Sequence, residues 1–83
     1  MYQLMWQYAR GKVDMLGMFE QPKEAWSAVM RDMRTLMELS NRRPTLRDKV
    51  KHATAETNKL RAANSAEGIV IVGNAKYWLE ELS

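Results

Sequence analysis

Gly68-Ile69-Val70-Ile71-Val72-Gly73-Asn74-Ala75 is the stretch on which the fold turns. Entered through Ser65 as a helix N-cap, it places Ile71, Val72, Ala75, Trp78, Leu79 and Leu82 along one side of a helix, with Gly68 and Gly73 as interior defects. Read instead as a strand, Ile69 to Val72 is β-branched throughout and bounded by glycines, and Asn74 then caps a short terminal helix. A lone strand needs a partner. No other run in the chain reads as a strand, so that version would require pairing with another subunit or another protein. The helical reading is preferred, and the rest of the chain is consistent with it.

Moving towards the N-terminus, Thr45-Leu46-Arg47-Asp48 resembles a capping box with Asp in place of Glu. It opens a helix in which Leu46, Val50, Ala53, Thr57 and Leu60 keep a four-three rhythm. Before it, Ser40 to Pro44 reads as a turn, because the residue ahead of proline is pushed out of the α region. Pro22 and Glu24 suit the first turn of a helix that carries Trp26, Met30, Met33 and Met37 as an apolar seam, flanked by Val29, Leu36 and Leu39. From Tyr2 to Phe19 the residues Leu4, Tyr8, Gly11, Met15 and Met18 also recur at helical spacing, although Gly11 and Gly17 each weaken a helix by roughly 1 kcal/mol relative to alanine. The expectation is an all-α fold: one domain over 1–83, built as a small antiparallel bundle of three to four helices.

Composition narrows the function classes. Eighty-three residues cannot divide a core between two domains, and the absence of cysteine removes disulfides, thiolate zinc sites and thiol nucleophiles. One histidine leaves too few imidazoles for the common two-His and three-His metal centres. The N-terminus lacks the basic flank and small-residue cleavage pattern of a secretory signal, and no apolar run approaches the length of a membrane span. A cytoplasmic protein is expected.

Both apolar mass and charge are distributed unevenly. All seven methionines fall in the first 37 residues, together with Tyr2, Trp6, Tyr8, Phe19 and Trp26. Arg42 to Arg61 carries a net charge of +5 in a chain whose total is +3, so the remainder is slightly acidic. Arg42, Arg43 and Arg47 crowd the start of the third helix, where positive charge opposes the helix dipole. An incoming carboxylate or phosphate would offset that cost. Lys51, Lys59 and Arg61 extend the charge along the helix.

Sites of chemistry fare less well. Asp48, His52 and Glu56 share one side of a helix at four-residue spacing, but such neighbours are ordinary surface ion pairs. The Gly68 to Gly73 spacing superficially matches a phosphate-binding loop, yet Asn74 and Ala75 stand where Lys and Ser or Thr are needed. No serine lies in a nucleophile elbow. The chain therefore reads as a non-enzymatic interaction protein, an adaptor, regulator or inhibitor, with no cofactor, metal or small-molecule substrate implied. Its expected apolar anchors are Trp6, Trp26, Met30, Met33 and Met37, and its expected basic contacts are Arg42, Arg43, Arg47, Lys51, Lys59 and Arg61. A protein partner or a homodimer is expected, and no membrane. The alternative is a nucleic-acid binder that contacts phosphates through the Arg42 to Arg61 segment.

Overall fold

The computed structural model describes residues 1–82 and is an α+β fold, which overturns the expected helical bundle. Strands β1 (Tyr2–Tyr8) and β2 (Val13–Phe19) form a hairpin; helices α1 (Pro22–Leu39) and α2 (Pro44–Ala62) follow; β3 (Ile69–Val72) and β4 (Ala75–Glu81) form a second hairpin. The four strands make one antiparallel sheet in the order β2-β1-β4-β3, so the first and last strands are its centre. Among the described residues, no helix is long and apolar enough to cross a membrane.

The N-terminal segment is a hairpin because Tyr2, Leu4, Trp6 and Tyr8 alternate at period two as well as meeting helical spacing. Two things mask that alternation. Met5 makes the opposite face apolar too, and the β1–β2 register slips between Leu4 and Met5, so Leu16 is an extra residue in β2. What looked like a defect at Gly11 lies in the connecting turn, which also holds Ala9 at a φ of 53°.

The Ile69 to Val72 run is the strand of the less favoured reading, and its partner is internal. Val72 pairs with Ala75 across a two-residue Gly73-Asn74 turn, where Gly73 takes a φ of +60° that a side chain would disfavour. Asn74 caps no helix. The residues after it form β4, which pairs with β3 on one side and with β1 on the other.

Both helices lie on one face of the sheet, and the core is the layer between them. Leu4, Val70, Val72 and Tyr77 contribute from the strands, Ala25, Trp26, Val29 and Met33 from α1, and Val50 and Ala53 from α2. Polar groups within this layer are satisfied: the Thr57 hydroxyl donates to the Ala53 carbonyl at 2.7 Å, and the Ser40 hydroxyl to that of Met37 at 3.0 Å.

Asn64 joins the ends of the two helices. Its φ of 48° ends α2 in a left-handed cap, with Ser65 N–H donating to the Leu60 carbonyl at 3.0 Å and Asn64 N–H to that of Arg61 at 3.1 Å. Its side-chain oxygen accepts from Lys23 N–H at 2.9 Å, and its amide donates to the Gln21 side chain at 3.1 Å. One residue thus closes the C-terminus of α2 and satisfies a free N–H in the first turn of α1.

Candidate functional site

The structure separates the expected contact residues into core and surface. Trp26 and Met33 are buried, 0% and 1% exposed, so they serve chiefly to hold the helices to the sheet. The Trp26 indole N–H is also used internally, donating to the Ser65 carbonyl at 2.7 Å. Trp6 is half-buried against the core under α1. Met30 and Met37 remain half-exposed. Together with Met33, Arg34 and Thr54 they line a shallow groove of about 220 Å³ between α1 and α2, on the side away from the sheet.

Around this groove the basic residues gather selectively. Arg47, Lys51 and Arg61 lie seven and three residues before and seven after Thr54, so helical geometry sets them on its side of α2. Lys59 falls on the opposite flank, and Arg42 and Arg43 sit exposed at the connection between the helices. From α1, Arg34 itself lines the groove and Lys23, eleven residues before it, shares its side, whereas Arg31 lies farther round the helix between Glu24 and Glu38, each seven residues away. Lys23 and Arg34 are not among the expected contacts, because they share a surface with the basic side of α2 only once the two helices are packed together. Glu38 is the carboxylate that shares this side with Arg34.

Two of these arginines are oriented by uncharged acceptors. The Arg47 guanidinium donates to the Asn41 side-chain oxygen at 3.0 Å and that of Arg61 to Asn58 at 2.8 Å, both neutral acceptors. Each side chain is held while its charge stays available, which lowers the ordering cost of meeting an anionic surface. Asp48, His52 and Glu56 are exposed, and among the described residues no three His, Asp or Glu side chains cluster as metal ligands would.

A second surface is the sheet face that no helix covers. Its middle row crosses all four strands as Met15, Met5, Trp78 and Ile69 in register. On one side of it run Val13, Gln7, Lys76 and Ile71, and on the other Met18, Gln3 and Glu80. Met15 and Met18 are each 49% exposed and Ile71 63% exposed. The Lys76 ammonium lies 5.2 Å from the centre of the Trp78 ring, a cation–π contact on this face.

On the helix-covered side, two clefts meet at Trp6 and Tyr77. One, of about 360 Å³, lies against Leu36 and Leu46; the other, of about 440 Å³, opens beside Asp14 and Asp32. The Tyr77 hydroxyl donates to Asp32 Oδ2 at 3.1 Å. Burial, then the charge of Asp32 and this hydrogen bond, hold the phenol well above its ordinary value of 10.0. The folded chain therefore keeps this proton where the unfolded chain releases it. Stability from Tyr77 is intact below pH 10.0 and declines as pH rises above it. Tyr77→Phe is expected to cost about 1 kcal/mol at neutral pH and to flatten the alkaline decline. Urea midpoints of both proteins at neutral and strongly alkaline pH check this, and parallel declines would contradict it.

No family model, curated protein or solved structure matches this chain.

Proposed function

We propose that this protein is a non-catalytic interaction module, an adaptor or regulator, that engages an acidic protein surface through the outer side of its helix pair. The observation that carries the reading is a methionine-floored groove lined by Arg34, on whose side helical spacing also sets Lys23, Arg47, Lys51 and Arg61, with Glu38 beside them. Cations at the rim speed and orient encounter with carboxylates, while Met30 and Met37 supply an adaptable apolar floor. Trp6, Trp26 and Met33 belong to the packing beneath and are not contacts in this reading.

The basic residues also keep a nucleic-acid reading in view, since phosphates would satisfy the same arginines. The floor of the groove favours protein. It holds methionines and no aromatic ring on which a base would stack.

A photo-crosslinking residue in place of Met30 tests the two readings together. In cells expressing the protein, irradiation is expected to give adducts that protease destroys and nuclease leaves intact. These should fall about tenfold when Arg34 and Lys51 are both changed to Glu, as expected for loss of rim charge. Nuclease-sensitive adducts would move the reading to nucleic acid, and adducts indifferent to the charge reversals would reject this face.

A further inference from the structure

We infer that the uncovered sheet face is a homodimer interface in which β4 packs against its own copy about a two-fold axis through Trp78, Lys76 facing the partner's Glu80. The argument begins with the strand itself. Lys76, Trp78 and Glu80 lie at period two on the same face of β4, so its open side reads cation, aromatic, anion. Half a turn about an axis lying across the strands at Trp78 carries cation onto anion and leaves the aromatic facing itself. The pattern is its own complement, which is the requirement of an isologous contact.

The neighbouring strands agree with that axis. The apolar row Met15, Met5, Trp78, Ile69 falls on the axis and meets itself, while Val13 comes over Met18 and Gln7 over Gln3. No charge is set against a like charge. An axis running along β4 instead would set Lys76 and Glu80 each against its own copy, and one running between β1 and β4 would leave Lys76 facing Gln7 and Glu80 facing Gln3, with neither charge paired. Two sheets stacked this way form an aligned sandwich about 10 Å apart, their strand directions within about 30°.

Growth through the sheet edges is disfavoured by the same strands. β2 is bent by the extra residue at Leu16, and β3 has four residues. Bulged and short edges are the usual means of blocking edge pairing. What remains for self-association is the face.

Its size sets the strength. Four strands about 4.8 Å apart and rows about 6.6 Å apart give a patch on the order of 400 Å² per copy. That is smaller than the roughly 800 Å² per partner of a standard interface, so a weak, concentration-dependent dimer is expected. Because the helices lie on the opposite side of the sheet, this contact is independent of the helix-pair reading above.

Sedimentation velocity over a wide concentration range tests it. The full chain is expected to pass from monomer to dimer as concentration rises. Met15→Lys, which sets two lysines face to face at a 49% exposed position, should abolish the dimer with circular dichroism unchanged. Lys76→Glu and Glu80→Lys should each weaken association about tenfold, and the two together should restore it, a rescue that loss of the contact with Trp78 cannot imitate. A monomer throughout, a dimer indifferent to Met15→Lys, or charge reversals without rescue would each overturn the assignment.

Discussion

Replacing Trp26 with Ala is expected to leave the protein largely unfolded at room temperature. The side chain is fully buried between helices and sheet, and truncating a core tryptophan typically costs about 3–5 kcal/mol through lost transfer energy and the cavity left behind. The Ser65 carbonyl also loses its donor at 2.7 Å, adding about 1 kcal/mol or more. Small domains have about 5–15 kcal/mol in total, and one of this size belongs near the lower end. Trp26→Phe separates the contributions: it keeps most of the apolar volume and removes the hydrogen bond. Urea unfolding followed by circular dichroism should therefore rank the wild type above Trp26→Phe, and that variant far above Trp26→Ala. Equal stability of the two variants would mean that packing around this side chain contributes little.

Gly68→Ala is expected to produce the second large loss, about 2–4 kcal/mol from backbone strain and overpacking together. Gly68 sits at a φ of +154°, which L-residues rarely adopt, and an added Cβ would lie 2.6 Å from Leu60 Cδ2 and 2.9 Å from its Cδ1. The two causes can be told apart. Leu60→Ala in the Gly68→Ala background removes the clash and keeps the strained backbone, so it should recover part of the loss beyond what Leu60→Ala costs alone. The glycine is the joint at which α2 gives way to β3, and Leu60 on the last turn of α2 is the wall against which it closes.

The two helices and the turn between them were legible because they follow rules of nearest neighbours. Pro22 with Glu24 marks the start of α1, and Pro44 marks the start of α2, although as its first residue with Arg43 as N-cap, so the expected capping box at Thr45 and Asp48 does not form. The sheet was hidden by its own function-like surface. A half-buried strand announces itself by polar residues on its open side, and here Met5, Met15, Met18 and Trp78 occupy that side. With apolar residues on both faces, the period of two blurs into spacing that also fits a helix. The glycines carried the missing signal: Gly73-Asn74 is a hairpin dipeptide, and Gly11 interrupts what would have been an unbroken helix.

The same masking affects the expected apolar anchors. A methionine stripe taken as surface puts Trp26 and Met33 outside, whereas packing buries them and leaves Met30 and Met37 on the floor of the groove. The basic segment is visible as a run of charge, but which of its members share a surface depends on the phase of α2 against α1. Helical phase sets Arg47, Lys51 and Arg61 on the side of Thr54, which faces the groove lined by Arg34, and turns Lys59 away.

The pairing of β1 with β4 has a wider consequence. Tyr2 lies opposite Glu81, so the central ladder of the sheet joins residues from the two ends of the described chain, and every other element is strung between them. Either hairpin alone is a two-stranded ribbon, marginal in water. The sheet exists only when the helix pair has brought the hairpins side by side, and the helix pair has a core only when the sheet lies beneath it. The basic side and the apolar side are thus two surfaces of one cooperative unit, back to back, and the chain presents both or neither.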